Sequence, residues 1–301
     1  MLKTRLWMGT ILIVLGVGIL QESQWFGQWF PLLGLVLLLV INLSYIELIS
    51  LSAPEMAPNR LLGILALTTI LAMNWINPIL QLFGLMNPSI ELTWKGILYT
   101  SLLFIFIAFL REMIFYVNPS PAPHRIASLL FSLFYLGILP SFFIQLRFYD
   151  LYHPNDRGYS QVLVALTLFV PKFGDIGAYF TGKFLTGRVL GRHLMTPKLS
   201  PKKTFQGGIA GLIVSVLTTV IICRYASDCP ALCPQGTWQA IILGLLLGSA
   251  GILGDLAESL IKRCSEKKDA SNSIPGFGGI LDVIDSLLFT APIAYFWVYG
   301  L

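Results

Sequence analysis

Long runs of apolar residues, broken by short polar stretches, dominate this sequence from end to end. About 20 apolar residues are enough for a helix to cross a hydrocarbon core roughly 30 Å thick. Nine candidate runs occur, at residues 6–20, 30–51, 61–82, 94–117, 126–146, 159–180, 208–223, 238–261 and 280–299. The sixth and eighth of these runs are the most interrupted by polar residues. The pattern predicts an all-α, polytopic bundle of about nine transmembrane helices.

The composition supports this interpretation. Of the 301 residues 55% are hydrophobic and 12% are charged, and the mean hydropathy is +0.76, whereas an ordinary soluble domain has about 25% charged residues. The first apolar run follows Lys3 and Arg5, as the core of a signal peptide would, but no A-x-A-like cleavage site follows it. We therefore expect this run to be the first span of an integral membrane protein.

The distribution of basic residues predicts the orientation. Nine spans place the termini on opposite sides, and a cytoplasmic N-terminus puts sixteen Lys and Arg residues at cytoplasmic ends and four outside, namely Lys95, Arg147, Arg157 and Arg224. The net charge of +5 does not indicate a nucleic-acid partner, because the cations lie beside membrane ends. We expect a multi-pass protein of the inner (cell) membrane whose partners are membrane lipids and nucleotide phosphates. Cys229 and Cys233 share a short outer loop, and the sequence is equally consistent with a disulfide between them and with two free thiols.

Polar chemistry is concentrated in the second half. Residues 1–150 contain short loops, and we interpret them as a scaffold of about five spans. Residues 151–301 contain two longer inward loops, 181–207 and 262–279, which hold most of the lysines. Ionisable residues at membrane depth are costly and usually functional, and this half carries Asp175, Asp255, Asp282 and Asp285. We expect the catalytic region here, facing the cytoplasm.

Two aspartates at the start of the ninth run are the first candidate site. Asp282 and Asp285 are three residues apart, so a helix places both on one face. Two carboxylates so close either share a proton or bind a hard cation such as Mg²⁺. The alternative is that the acids cap the helix N-terminus.

The eighth run carries a polar stripe formed by Asp255, Ser259 and Lys262. Such a stripe is typical either of a site or of an interhelical hydrogen-bond seam, and Glu258 could pair with Lys262. Gly278 and Gly279 precede the ninth run and would let backbone amides approach an anion. The glycines at 244, 248, 251 and 254 are assigned to close helix packing.

A short inward stretch combines two cations with two hydroxyl groups: Ser200, Lys202, Lys203 and Thr204. Lysines bind phosphates as point charges. The alternative is a membrane flank that touches anionic headgroups.

Together these stretches form a recognisable pattern. The chain reads Ser259-Leu-Ile-Lys262-Arg263, Lys268-Asp269, Ser271, Pro275-Gly-Phe-Gly-Gly279 and Asp282-Val-Ile-Asp285, after Asp175-Ile-Gly-Ala-Tyr-Phe-Thr-Gly-Lys183 and Ser200-Pro-Lys-Lys-Thr-Phe205. In residue type and spacing, residues 172–289 resemble the phosphatidate cytidylyltransferase (CDP-diacylglycerol synthase) family. The first 150 residues share only their hydrophobic spans with it.

The resemblance implies that CTP and phosphatidate react to give CDP-diacylglycerol and pyrophosphate. It implies Mg²⁺, with or without a second cation, and leaves a homodimer open. The catalytic residues would be Asp282, Asp285, Lys262 and Asp255, and the metal ligands Asp282, Asp285, Asp255 and Asp269. The substrate-binding residues would be Ser200, Lys202, Lys203, Thr204, Arg263, Lys268, Asp175, Ser259, Gly278 and Gly279.

Three positions depart from the family pattern. Phe277 stands where the family usually has His, Val283 where it has Arg, and Gln206 where it has Glu. All the acidic residues of the metal type are present. The departures indicate altered nucleotide or lipid contacts or a divergent branch, and they leave an inactive scaffold protein as one hypothesis.

Other classes of membrane protein also place aspartates at membrane depth. A CDP-alcohol phosphotransferase would need the opening D-G-x2-A-R, which this chain lacks. Another membrane phosphotransferase or nucleotidyltransferase acting on a lipid phosphate remains an alternative. A cation-coupled transporter would line an ion pathway with Asp175, Asp255 and Asp282, but the inverted repeat common in such proteins is not evident.

Overall fold

The computed structural model describes residues 2–117, 120–154, 158–184, 193–226, 236–265, 271 and 278–300. The first part of the chain forms α1 Leu2–Phe26, α2 Pro31–Ser50, α3 Arg60–Met73, α4 Ile76–Leu82, α5 Ile90–Ile114 and α6 Ala122–Ser132. A π-helical turn, Leu133–Ile138, continues α6 into α7 Leu139–Arg147, and α8 is Tyr149–Tyr152. The remaining elements are α9 Tyr159–Phe184, β1 Leu194–Thr196, β2 Ser200–Thr204, α10 Phe205–Tyr225, α11 Thr237–Cys264 and α12 Leu281–Tyr299.

Most of these helices are long and apolar enough to cross a membrane. Among the described residues there are seven such helices: α2, α5, the continuous segment from α6 to α7, α9, α10, α11 and α12. The pair α3 and α4, bent by 52°, would make an eighth if it is one broken span. The prediction of an all-α, multi-pass membrane protein is confirmed. The 25-residue helix α1 is not in this set, and nine spans and the orientation stay predictions.

The chain divides into two compact units. The N-terminal unit comprises Met1–Ile144 and Asp269–Val283, and the C-terminal unit comprises Gln145–Lys268 and Ile284–Leu301. The boundary near residue 145 lies close to the division predicted at residue 150. The segment 269–283, however, groups with the first unit.

Helix α2 packs on α1 and α3 in the N-terminal unit. Leu33, Ile41 and Tyr45 are buried on it with almost no exposure, because its apolar face packs on α3. Pro31 begins the helix, where its missing N–H costs no intrahelical bond. The side chain of Glu22, fully buried at the end of α1, accepts hydrogen bonds from the Leu32 and Leu33 amides at this helix start.

Glycines allow the helices of the C-terminal unit to approach closely. A Cβ added at Gly244 would lie 2.7 Å from the Val216 Cα, and one at Gly248 would lie 2.8 Å from the Ser215 side chain. Real Cβ contacts are not that short, so α11 can pack on α10 only with glycine at these positions. The assignment of these glycines to helix packing is confirmed.

The stretch predicted to hold two lysines and two hydroxyls is strand β2. It pairs with β1 in an antiparallel hairpin and leads directly into α10. Thr204 caps that helix, since its Oγ1 accepts a hydrogen bond from the Gly207 amide at 3.1 Å. The hairpin therefore fixes the lysines at the N-terminal end of α10.

Candidate functional site

Three carboxylates converge in the C-terminal unit. Asp255 and Glu258 lie on one face of α11, three residues apart, and Asp285 lies on α12. One oxygen from each of the three lies within 4.8 Å of the others. Glu258 and Asp285 are buried, with 1% and 5% exposure. Oxygen ligands in such a set fit a hard divalent cation.

Each of these carboxylates also contacts a lysine. The Lys203 Nζ lies 2.7 Å from the Asp255 Oδ2, and the Lys262 Nζ lies 3.0 Å from the Glu258 Oε1. The Lys172 Nζ lies 3.5 Å from the Asp285 Oδ1. The three lysines offset the negative charge of the three acids, which reduces the cost of removing the buried carboxylates of Glu258 and Asp285 from water.

Glycines bring the two acid-bearing helices together. A Cβ at Gly254 would lie 2.5 Å from the Asp285 carbonyl oxygen and 2.9 Å from the Ser286 Cα. At Gly251 a Cβ would lie 2.7 Å from the Pro171 Cβ of α9. The absence of side chains here lets α11 contact both α12 and α9, so the acids of different helices meet.

A cleft of about 790 Å³ opens beside Asp255. Its basic side chains are Lys183 from α9 and Lys202 and Lys203 from β2. Its volume is in the range of small-molecule sites. Six residues predicted from the sequence line this cleft: Asp175, Ser200, Lys202, Lys203, Thr204 and Asp255. The cleft can therefore hold a phosphorylated ligand next to the carboxylates.

Asp282 bonds to the turn that precedes α12. The Gly279 amide donates a hydrogen bond to the Asp282 Oδ2 at 2.6 Å. Gly278 has a φ of +103°, and a Cβ there would lie 2.7 Å from the same Asp282 oxygen. Asp282 therefore serves the turn before its own helix, which was the capping alternative. Its predicted metal contact, and the predicted substrate contacts of Gly278 and Gly279, stay predictions.

Comparison with known proteins decides the family. A family model described as the cytidylyltransferase family matches residues 3–300. The chain belongs to this family. The resemblance found in the motifs of residues 172–289 is thereby confirmed, and the match extends through the N-terminal spans, where the motifs gave no indication.

Several curated relatives are phosphatidate cytidylyltransferases. The chloroplastic phosphatidate cytidylyltransferase 4 of Arabidopsis thaliana is 36% identical over 191 residues, which cover 60% of this chain and 47% of that protein. The Synechocystis enzyme is 35% identical over 206 residues, which cover 61% of this chain and 67% of that protein. The Bacillus subtilis enzyme is 35% identical over 162 residues, which cover 54% of this chain and 54% of that protein. The chain thus spans about half the length of several curated relatives that it matches.

Two further residues of the cytidylyltransferase motifs, Ser259 and Arg263, lie on α11. Ser259 is half-buried on α11, one turn after Asp255. The Arg263 Nε donates to the Leu199 carbonyl oxygen at 3.3 Å, so this side chain contacts the β1–β2 turn. Outside the described residues lie Lys268, Asp269, Phe277, Cys229 and Cys233.

The structure adds three residues to this candidate site: Glu258, Lys172 and the cleft residue Lys183. The sequence indicated Glu258 only as a partner of Lys262, and that pair is confirmed. Its i, i+3 spacing from Asp255 is the same signal that singled out Asp282 and Asp285, and it could have identified the acid. Lys172 was missed, although a lysine three residues before Asp175 in an apolar run is itself unusual.

Proposed function

We propose that this chain is a CTP:phosphatidate cytidylyltransferase that makes CDP-diacylglycerol and pyrophosphate. The observation that carries the proposal is the convergence of Asp255, Glu258 and Asp285 beside a lysine-lined cleft in a membrane-spanning chain. The similarity to phosphatidate cytidylyltransferases of plants and bacteria supports the same activity. Because CTP is a cytosolic nucleotide, we further propose a cytoplasmic N-terminus and an active site on the cytoplasmic side of the inner membrane.

The reaction needs no protein nucleophile. An oxygen of the lipid phosphate forms a bond to the α-phosphorus of CTP, and the bond from that phosphorus to the β-phosphate oxygen breaks to release pyrophosphate. The phosphate monoester of phosphatidate is already ionised near neutral pH. The task of the protein is to hold two anions in line and to offset the charge of the transition state.

The basic residues of the cleft perform the first part of this task. Lys183, Lys202 and Lys203 bind the triphosphate, and Arg263, which contacts the hairpin turn, extends this basic surface. Ser200 and Thr204 offer hydroxyl groups on the same strand. Lys262 stays paired with Glu258, which orients that carboxylate.

The acidic residues perform the second part. Asp255, Glu258 and Asp285 would hold Mg²⁺, and Asp282 and Asp269 are kept as further proposed ligands. Such a cation, when bound, neutralises phosphate oxygens and favours their approach. Lys172 and Lys203 balance the charge of the acids with which they pair.

Direct assay tests the proposal. Protein purified in detergent is incubated with Mg²⁺, phosphatidate and each nucleoside triphosphate in turn, and lipid products and pyrophosphate are measured. We expect a nucleotide-linked lipid and pyrophosphate with CTP, and neither product without phosphatidate. Absence of product with every nucleotide would contradict the enzyme, and ion uptake into proteoliposomes without CTP would favour a transporter.

Removal of one cleft lysine should weaken nucleotide binding. We expect Lys202→Ala to raise the KM for CTP about tenfold and to change kcat less than twofold, because a hydrogen bond to a charged phosphate is worth about 1.5–3 kcal/mol. Steady-state kinetics with varied CTP measures both constants. The matched control is Lys95→Ala, which removes an exposed lysine that pairs with Glu91 at 2.6 Å in the N-terminal unit. A tenfold effect in both variants would contradict a specific role for Lys202.

A further inference from the structure

One buried acid of the N-terminal unit bonds to the segment that begins α12. Glu47 lies near the end of α2 and is 5% exposed. Its carboxylate accepts hydrogen bonds from the Ile280 amide at 3.1 Å and the Leu281 amide at 3.0 Å. It also accepts one from the Ser271 hydroxyl. The side chain thus joins residues more than 220 positions apart in the sequence.

These bonds satisfy groups that the helix itself cannot satisfy. The first amides of a helix have no intrahelical acceptor. A negative charge at this end also interacts favourably with the helix dipole. Glu47 therefore acts as an N-terminal cap supplied by another helix.

Glu47 also bonds to residues on either side of the Gly-rich stretch in the sequence. Ser271 precedes the stretch Pro275–Gly279, and Ile280 follows it. One carboxylate therefore bonds both to a residue before this stretch and to residues after it. The Gly279 amide donates to Asp282, so three successive amides, at 279, 280 and 281, bond to carboxylates of the protein.

We propose that Glu47 is a positioning residue for the carboxylates of α12. Leu281 is the first residue of that helix, Asp282 follows it, and Asp285 comes one turn later. A fixed first turn sets the position of both aspartates along the helix axis and the direction in which their side chains project. The activity part of this inference rests on the proposed function, whereas the backbone part does not.

A second buried glutamate provides a matched control. Glu22 is fully buried and accepts hydrogen bonds from the Leu32 and Leu33 amides at the start of α2. Its chemistry is the same as that of Glu47. The helix that it caps, α2, carries none of the proposed ligands, and Glu47 lies at the opposite end of that helix, far from the Leu32 and Leu33 amides. Glu22→Gln therefore reports the general cost of weakening a buried cap.

Amide hydrogen exchange tests the bonds without any assay of activity. Glutamine keeps the shape of Glu47 but replaces one acceptor oxygen with a donor group, which cannot accept from an amide. We expect Glu47→Gln to accelerate exchange in the peptide 278–285 at least tenfold, and Glu22→Gln to leave that peptide unchanged. Unchanged exchange at Ile280 and Leu281 in Glu47→Gln would overturn the proposal.

Activity and its Mg²⁺ dependence test the consequence. Mutation of a residue that orients a metal ligand without touching the metal typically lowers metal affinity or activity by about 10–100-fold. We expect Glu47→Gln to lower kcat within that range, to leave the KM for CTP within twofold, and to raise the Mg²⁺ concentration for half-maximal activity. Glu22→Gln should leave the Mg²⁺ dependence unchanged, and an equal shift in both variants would overturn the positioning role.

If Glu47→Gln does not fold, a milder variant still tests the proposal. Ser271→Ala removes the hydroxyl that bonds to Glu47 and keeps the Glu47 carboxylate. We expect a two- to fivefold faster exchange in the peptide 278–285 with a smaller loss of kcat. No acceleration in this variant would count against the proposal. If the wild-type protein makes no lipid product, the proposed function fails, while the exchange measurements still decide whether Glu47 holds the start of α12.

Discussion

Asp285→Asn is expected to lower the rate of CDP-diacylglycerol formation by about a thousandfold. Asp285 is 5% exposed and shares a 4.8 Å cluster with Asp255 and Glu258. The amide removes one negative charge from the set that would hold the cation, and loss of one group that stabilises developing charge costs about 10²–10³ in rate. Initial rates at saturating CTP and phosphatidate measure the effect.

The control removes an acid of the same kind from an exposed position. Glu91 lies in the first turn of α5 and pairs with Lys95. We expect Glu91→Gln to retain at least half of the wild-type rate. An Asp285→Asn protein that runs as a monodisperse peak and keeps more than a tenth of the rate would remove Asp285 from the proposed mechanism.

Gly254→Ala is expected to lower both stability and activity severely. The added methyl group would lie 2.5 Å from the Asp285 carbonyl oxygen and 3.0 Å from the Asp285 carbonyl carbon. These are backbone atoms, so the clash cannot be relieved by rotation of a side chain. Overpacking typically costs about 1–3 kcal/mol, and the required separation of α11 from α12 also moves Asp285 away from Asp255. Thermal unfolding in detergent and the lipid-product assay measure the two effects.

A glycine in open surroundings shows whether the methyl group itself matters. Gly16 lies within α1, and a Cβ there would meet nothing within 4 Å. Alanine is a better helix former than glycine by up to about 1 kcal/mol, so Gly16→Ala should leave the melting temperature unchanged or raise it. If Gly254→Ala behaves like Gly16→Ala, the close approach of α11 to α12 is not required.

The two aspartates at the start of α12 show where local pattern stops being informative. Their i, i+3 spacing gives them equal weight as metal ligands. In the structure, the Asp285 carboxylate lies within 4.8 Å of those of Asp255 and Glu258 on α11. The Asp282 carboxylate instead accepts a hydrogen bond from the Gly279 amide. Spacing along one helix fixes which face a side chain occupies, but not what another helix presents to that face.

Glu47 is a second example. It lies near the end of an apolar run, and no motif in that run indicates a partner for its charge. The partners that explain its burial are the amides of Ile280 and Leu281. Backbone amides are the same at every non-proline residue, so no sequence pattern marks them as the acceptor's partners.

The sequence by itself determined the membrane-spanning helical class, the acid-bearing and lysine-bearing segments, the packing glycines and the family resemblance. These properties depend on composition, on local periodicity and on spacing within short stretches. The tertiary structure alone decided that Glu258 and Lys172 lie beside Asp285, that residues 194–204 form a hairpin, and that Glu47 caps α12. Each of these depends on which surfaces meet after packing, and that is set by the free energy of the whole fold.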